Sequence, residues 1–539
     1  MPTAEPPGSS PQAPTDLVAA HPAAASSATV PLARAPRPRS PGPPPGPRRP
    51  AGSVPGGRRR ARMPARAFWL RLLPALLVLT AVTRLPSFQR PVWNPDEGFV
   101  ATQARMLAAG GTLYGTVVDR KPPLLPWLYQ GAFALFGDDS LWPLRALAVL
   151  AVAGTAALVA SVARRRWGGR AGATAGVLCV LASVGLNPED AQAATFEVFL
   201  LPCTAAAFWY ADRRRWWAAG LAVAGAVLAK QTGGAVLLPV LYLVWRGVPR
   251  GAPRLRALLV VLAAFAAPLL ATALATGLSR TLFWTVTGSG SYATFAGSEL
   301  HVLGRALGTT AVFALGAGGA LLPVLTVLRR RVPRGHVLSF DLWLWLAASA
   351  VGVVTGFHFF GHYYLQLLPP LALLAAGALH LLTTDWLRLT VLVSVVVSTV
   401  FVAWGSHAER DSLRHAERLA ATIRARTEPG ERVLVWGMHP ETYWLADRPP
   451  ASRYLTAGLL TNYSGGRDGP RVGERYGVPG TWPVFLHELT AARPALIVDD
   501  SRGKPYRPER LPSLRRVLAE RYERVGVVDG AVVYARTER

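Results

Sequence analysis

Two adjacent acids and a lysine stand out as residues that could do chemistry. Asp96 and Glu97 follow the first strongly apolar segment of the chain, and Lys121 comes 25 residues after Asp96. A carboxylate beside hydrocarbon is costly unless it binds a cation, pairs with a base or takes part in a reaction. An acid at such a position can take a proton from a nucleophile, and an ammonium group can neutralise a leaving phosphate. We therefore predict the functional site around these residues.

Each of these residues also has an ordinary structural explanation. Asp96 and Glu97 could lie at the N-terminus of a helix, where the helix dipole favours acids. Lys121 could extend its ammonium group towards lipid headgroups. A capping role for Asp96 is compatible with a chemical role, so the structural explanation does not exclude a site.

The composition indicates a membrane protein. Of the 539 residues, 51% are hydrophobic, which is too many for an ordinary soluble enzyme of this length. The formal net charge of +27 could suggest binding to nucleic acid, but the arginines occur in short runs between apolar segments. This distribution indicates membrane topology, and we expect no nucleic-acid partner.

The apolar segments and arginine runs predict a consistent topology. Residues 1–66 are rich in Pro, Ala, Ser and Gly, which predicts a disordered tail that we place in the cytoplasm. Eleven segments have roughly the length needed to cross a bilayer as helices. Their approximate bounds are 67–85, 142–163, 171–187, 195–211, 215–230, 233–246, 256–277, 306–328, 340–358, 363–382 and 387–405. With this count, all four arginine-rich loops face the cytoplasm, as the positive-inside rule requires.

The same count places the candidate residues on the extracytoplasmic side. The first loop, residues 86–141, reads as two helices lying on the membrane surface, one after the acids and one after the lysine. Lys230 lies where two short apolar segments meet, so these segments could be one broken or re-entrant element. The loop at 278–304, rich in Gly, Ser and Thr, could close over a site as a lid.

The composition changes beyond residue 405. Residues 406–539 contain two strand-like runs, at 432–436 and 495–498, and an amphipathic helix candidate near 408–427. We predict a small soluble α/β domain here, on the extracytoplasmic side. The transmembrane domain would then span residues 67–405.

Five short motifs occur in an order that resembles a known family. They are Trp93 to Gly98, Arg120 to Leu124, Phe196 to Pro202, His362 to Pro369 and Trp436 to Glu441. In this order they resemble bacterial glycosyltransferases of family 39, over about residues 67–455. That family is part of the C-type superfamily, with the protein O-mannosyltransferases and the aminoarabinose transferase that modifies lipid A.

The resemblance implies a mainly α-helical bundle of the C-type kind and an inverting glycosyl transfer. The donor would be a sugar on a polyprenyl phosphate, and the acceptor a protein, polysaccharide or lipid on the extracytoplasmic side. The enzyme would then be a multi-pass protein of the cell membrane, in contact with membrane lipids.

The resemblance also implies roles for particular residues. Asp96 matches the general base or acceptor-orienting acid of the first loop and Glu97 its support, and we assign both to catalysis, with Asp96 as the base. Residues matching positions near the donor, together with a candidate from the sequence itself, are assigned to substrate binding: Lys121, Glu197, His362, Tyr363 and Lys230. The order of Glu189, Asp190 and Glu197 leaves open which acid is the second one of the site.

Several alternatives follow from the residues alone. Glu197 could be a buried acid paired with an arginine, and His362 an ordinary residue of the interfacial aromatic belt. A transporter or flippase of lipid-linked substrates is the alternative function, and it would place charged groups near the middle of the bilayer. We assign no metal ligands, because His439 and Glu441 lack a second histidine at ligand spacing. A requirement for a divalent metal is left open.

Overall fold

The computed structural model describes residues 65–288, 299–330 and 337–537. The predicted disordered tail therefore lies almost entirely outside the described residues. Within the described ranges the α-helices are, in chain order, α1 Ala65–Arg84, α2 Pro95–Ala108, α3 Leu124–Phe136, α4 Trp142–Trp167, α5 Gly169–Ala182, α6 Pro188–Ala191, α7 Phe196–Asp212, α8 Trp216–Ala229, α9 Leu237–Gly247, α10 Ala252–Thr276, α11 Leu278–Leu282, α12 Glu299–Gly316, α13 Gly318–Arg329, α14 Phe340–Val354, α15 Leu368–His380, α16 Thr384–His407, α17 Asp411–Arg426, α18 Glu441–Ala446, α19 Gly458–Thr461, α20 Thr481–Ala492 and α21 Pro512–Arg521.

The bundle confirms the predicted multi-pass membrane protein. Among the described residues, α1, α4, α10 and α16 are long and apolar enough to cross a bilayer, and α12 with α13 would make a fifth span if they act together. The remaining predicted spans each coincide with a shorter helix. Apolar side chains are exposed on the outer helices, while α15 is buried around almost its whole circumference. A helix that is apolar on all sides belongs inside a bundle.

The predicted span at 306–328 is wrong as a single helix. The structure breaks it between α12 and α13, which are bent by 86° relative to each other. Gly316, the last residue of α12, touches the backbone of Gly185 so closely that a Cβ would lie 1.8 Å from the Gly185 oxygen. Only glycine allows two backbones to approach in this way, and the chain changes direction at this contact.

Two 3₁₀ segments interrupt the α-helical bundle at other places. The predicted break at Lys230 is confirmed, because α8 ends at Ala229 and a 3₁₀ segment, Gln231–Val236, precedes α9. A second 3₁₀ segment, Gly361–Leu367, leads into α15. The predicted lid at 278–304 is largely helical where it is described, with α11 followed by a π-helical turn at Phe283–Thr287, and its residues 289–298 lie outside the described ranges.

The C-terminal part forms a small α/β unit around a four-stranded sheet. The strands are β1 Val433–Trp436, β2 Leu496–Asp499, β3 Tyr522–Val528 and β4 Ala531–Arg536. Their order is β1-β2-β4-β3, with β1 parallel to β2 and the other neighbours antiparallel. The two predicted strand runs and the predicted helix are therefore present, whereas the β3–β4 hairpin was not predicted.

The small α/β unit packs against the first loop through α18 and α2. At the contact, a Cβ on Gly98 would lie 2.4 Å from the Cβ of Glu441, so only a hydrogen atom fits there. This contact lies two residues after Asp96 on the same helix.

Candidate active site

The N-terminus of α2 positions Asp96. Asn94 is the N-cap residue, and its side-chain oxygen accepts a hydrogen bond from the Asp96 backbone N–H at 2.9 Å. Pro95 occupies the first helical position, where the missing N–H is not needed. The Asn94 side chain also donates to the Glu189 carbonyl oxygen at 3.2 Å, which ties α2 to the segment before α7. Asp96 therefore does lie in the first turn of a helix, as the structural explanation expected.

Lys121 forms an ion pair with Asp96. Its Nζ lies 3.2 Å from Asp96 Oδ2, and the two side chains are 27% and 35% exposed, so both can still be reached from outside. The same Nζ lies 4.0 Å from the ring centre of Phe196. Backbone hydrogen bonds to Asp119 and from Tyr114 hold the Lys121 segment in place. The structure thus brings together the two residues that the sequence analysis singled out first.

The pKa of Asp96 is lowered. Burial favours the neutral acid, but the positive charges of Lys121, His362 and Lys230 favour the carboxylate more strongly. Asp96 is consequently ionised at neutral pH, in the form that can accept a proton.

Glu97 lies in a different environment from its neighbour. Its carboxylate is fully buried and accepts three hydrogen bonds: from Trp93 N at 2.8 Å, from Ala194 N at 2.8 Å and from the Arg145 guanidinium at 2.9 Å. Arg145 is buried as well, at 1% exposure. Groups of the protein already donate hydrogen bonds to both oxygens of this carboxylate, which suits a positioning role rather than contact with a substrate.

A second group of charged residues lies deeper in the bundle. Lys230 Nζ contacts the Glu197 carboxylate and lies 3.7 Å from the ring centre of Tyr363. His362 Nδ1 lies 2.5 Å from Asp190 Oδ1, and its Nε2 lies 3.8 Å from Glu197 Oε1. We call Asp96, Lys121, Lys230, Glu197, His362 and Asp190 the charged cluster. It contains three acids and three basic side chains.

Helix ends and breaks bring the charged cluster together. Glu197 lies in the first turn of α7, Lys230 directly after α8, and His362 in the 3₁₀ segment before α15. Gly361 is required here, because a Cβ at this position would lie 2.6 Å from Asp190 Oδ2. The polar side chains therefore sit where helices begin or stop inside the bundle.

Asp190 is the residue of this cluster that the sequence analysis did not select. It lies in α6, a four-residue helix, and contacts a histidine 172 positions later in the chain. The available signal was the open choice among Glu189, Asp190 and Glu197. Glu189 instead lies beside Arg410 and Asn94, and burial is the main cause of its raised pKa.

One further arginine, Arg305, lies near the charged cluster. Arg305 lies 4.7 Å from the ring centre of Phe360, which in turn stacks on His362 at 5.6 Å between ring centres. Arg305 thus flanks the charged cluster. Among the described residues, no group of three His, Cys, Asp or Glu side chains is arranged to hold a metal ion.

Comparisons with known proteins bear on the family and the fold of the chain. Residues 120–274 match the family of dolichyl-phosphate-mannose-protein mannosyltransferases. The structure matches crystal structures of ArnT from Cupriavidus metallidurans, bound to undecaprenyl phosphate and in the apo state. For the bound form the identity is 17% and the TM-score 0.57, and for the apo form 18% and 0.59; both matches cover 88% of this chain and 99% of the other. The chain has the fold of the C-type glycosyltransferases.

Other comparisons add less. The archaeal oligosaccharyltransferase AglB from Archaeoglobus fulgidus matches with 14% identity and a TM-score of 0.47, over 80% of this chain and 70% of the other. No curated protein matches the chain in sequence. The family match includes Lys121, Glu197 and Lys230 but stops short of Asp96 and His362. The fold that the resemblance implied is therefore confirmed, while the roles of individual residues stay predictions.

Proposed function

We propose that this protein is a membrane glycosyltransferase that moves a sugar from a polyprenyl-phosphate donor to an acceptor, with inversion at the anomeric carbon. The observation that carries the proposal is the ion pair of Asp96 and Lys121 at the edge of the charged cluster. An ionised acid and fixed cations lie within reach of each other there, as proton removal and phosphate departure both require.

Asp96 acts as the general base in this proposal. Its carboxylate takes the proton from an acceptor hydroxyl, and the oxygen attacks the anomeric carbon on the face opposite the phosphate. The bond between that carbon and the phosphate oxygen breaks, and its electron pair stays on the phosphate. Attack opposite to the leaving group inverts the configuration.

Lys121 and the deeper cations stabilise the leaving phosphate. A polyprenyl phosphate leaves as an anion, so it needs positive charge nearby rather than a proton. Lys121 is the most accessible of the three basic side chains of the charged cluster, with Lys230 and His362 behind it and Arg305 at the flank. Tyr363, whose ring lies under the Lys230 ammonium group, holds that cation in place.

The buried acids of the site hold these cations in place. Glu197 contacts Lys230, and Asp190 contacts His362, so each basic group has a fixed partner. Glu97 fixes the start of α2 against Arg145 and the segment before α7. The geometry therefore supports a positioning role for Glu97 and a catalytic role for Asp96.

The membrane supplies the setting of the reaction. The apolar bundle provides a surface for a prenyl chain, and the charged cluster lies where the first loop meets the bundle. The topology predicted from the arginine runs puts this end on the extracytoplasmic side of the cell membrane. The fold shared with ArnT, which was crystallised with undecaprenyl phosphate, supports a donor of this chemical class.

The test is transfer from a panel of radiolabelled polyprenyl-phosphate sugars in membranes that contain the wild type, Asp96→Asn or Asp139→Asn. Asp139 is an exposed acid of the same loop and serves as the matched control. Transfer by the wild type and the control, but not by Asp96→Asn, supports the proposal. If no donor is used by the wild type, the proposal is wrong, and transport of a lipid-linked substrate becomes the function to test.

A further inference from the structure

A cavity of about 850 Å³ lies in the seam between the C-terminal half of α2 and the small α/β unit. We call it the seam cavity. Thr102 and Arg105 line it, and they lie on the same face of α2 as Gly98, whereas Asp96 lies about 160° around the helix from Gly98. No residue of the charged cluster lines this cavity. Its volume is in the range of small-molecule binding sites, roughly 300–1,000 Å³.

Two hydrogen-bonded bridges across the seam hold the cavity in shape. Arg105 on α2 donates to Asp447 Oδ1 of the small α/β unit at 2.8 Å. Arg453 of that unit donates to the Gly115 carbonyl oxygen of the first loop at 2.5 Å. A cavity that is already held open loses little conformational freedom when a ligand binds.

Four arginines and three acids line the cavity, and all three acids are paired with Arg105 or Arg453. Arg105 also contacts Asp138 at 2.7 Å, and Arg453 contacts Glu488 at 2.6 Å. A wall whose charges nearly balance gives a polyanion or a polycation little net attraction. It does provide guanidinium donors and carboxylate acceptors: Arg105 uses three of its five N–H groups in hydrogen bonds to described residues. Such a wall fits a neutral ligand with many hydroxyl groups.

Trp444 adds a second, independent feature. Its ring lies below Arg105, with 5.7 Å between the guanidinium carbon and the ring centre, and the residue is only 7% exposed. Its indole Nε1–H is buried and has no hydrogen-bond acceptor among the described residues. A buried indole N–H ordinarily has a partner, and a ligand hydroxyl could supply one.

A peptide is the less suitable occupant. Peptides often bind by adding a strand to an open sheet edge. β1 is an edge strand of the sheet, but the segment 449–451 already covers it: Val433 N donates to Pro449 O at 3.1 Å, and Ala451 N donates to Val433 O at 2.8 Å. Prolines at 429, 449 and 450 further reduce the backbone N–H groups that line the cavity.

We infer that the seam cavity binds a neutral polyhydroxylated chain, the non-reacting part of a glycan acceptor. Only the statement that the bound glycan is the acceptor rests on the proposed function. Val117, in the cavity wall, is four residues from Lys121, a span of at most about 14 Å of extended chain. An oligosaccharide can therefore occupy the cavity while one of its ends reaches the charged cluster around the end of α2.

The test measures binding without turnover. Full-length protein carrying Asp96→Asn, in detergent micelles, is titrated calorimetrically with maltohexaose, a mannose hexasaccharide, an anionic galacturonate hexasaccharide and a hexapeptide of Ser, Thr and Ala. We expect saturable binding of at least one neutral hexasaccharide. Adding Ala491→Trp, which fills the cavity from α20, should weaken that binding at least tenfold. Adding Thr490→Trp, on an exposed position of the same helix outside the cavity lining, should not.

A second pair of variants guards against misfolding of the tryptophan variant. Asp138→Ala removes a carboxylate that lines the cavity, and Asp139→Ala removes its exposed neighbour outside the lining. Weaker glycan binding in the first and unchanged binding in the second supports the inference. Absence of binding by both neutral hexasaccharides, equal binding by the two tryptophan variants, or binding of only the peptide or the anionic sugar overturns it. Because transfer is not measured here, failure of the proposed function would be recognised separately, by the donor panel.

Discussion

Asp96 and Glu97 are neighbours in sequence and have opposite environments. Asp96 is partly exposed and pairs with Lys121, a cation that a substrate can reach. Glu97 is fully buried and saturated by Arg145 and two backbone N–H groups. Two acids of one motif can therefore have separate roles: the Asp96 carboxylate stays accessible, whereas the Glu97 carboxylate holds the helix that carries both.

The largest effect is expected from Asp96→Asn. Removal of a general base typically costs about 10²–10⁴-fold in rate, and the amide cannot accept the proton. The thermal unfolding temperature should change little, because the side chain is partly exposed. Radiolabel transfer measures the expected loss of activity, and thermal unfolding of the same purified protein measures the change in stability. A variant that loses stability along with activity would break the proposed contrast with Glu97.

Glu97→Ala should produce the opposite profile. It leaves Arg145 buried without its carboxylate, and breaking a buried ion pair typically costs about 3–5 kcal/mol of the free energy of unfolding. Unfolding by heat or denaturant in micelles measures this. The double variant Glu97→Ala with Arg145→Ala should recover part of the loss, and additive losses would argue against a coupled pair.

Lys121→Gln should reduce transfer by about 10²-fold or more, because it removes a positive charge that would stabilise the leaving phosphate anion. The ion pair with Asp96 is partly exposed, so we expect only a small change in stability. Lys121→Arg keeps the charge and should retain more activity than Lys121→Gln. Equal activity in the two variants would show that charge at this position is not what matters.

The smallest expected effect is in the dependence on pH. The pKa of Asp96 is lowered because its neighbouring cations outweigh the effect of burial. Its base form, and the stability that it contributes, are therefore present above the unfolded pKa and are lost as the pH falls through the lower folded pKa. In Lys121→Gln the acid limb of the transfer profile should move to higher pH. An unchanged acid limb would show that ionisation of Asp96 does not determine this part of the pH profile.

The sequence pointed to the ion pair of Asp96 and Lys121 more clearly than to the residues around it. Asp96 and Lys121 could be chosen because acids beside an apolar segment need a reason to be there. Asp190 could not be chosen with the same clarity, since its role depends on a contact with His362 from a distant part of the chain. Burial of Glu97 was also hidden from the sequence, because both acids of the motif look alike until their partners are known.

The fold was predictable where hydrophobicity alone decides it. Every predicted span except 306–328 coincides with one helix. The bend after Gly316, which divides that span, depends on a backbone contact with Gly185 that no periodicity reveals. The β3–β4 hairpin did carry a signal, since Asp529 and Gly530 both have positive φ, as the tight hairpin turn of an Asp-Gly pair requires. A search for that dipeptide between apolar runs would have found it.

The contact between Gly98 and Glu441 also bears on how the protein is made. The helix that carries Asp96 is synthesised well before Glu441, which closes its Gly98 face and lies 343 residues after Gly98 in the chain. Domains of a growing chain generally fold from the N-terminus. This face of α2 therefore stays open until the small α/β unit has been made, and a chain that stops before that unit has an α2 helix that lacks this contact.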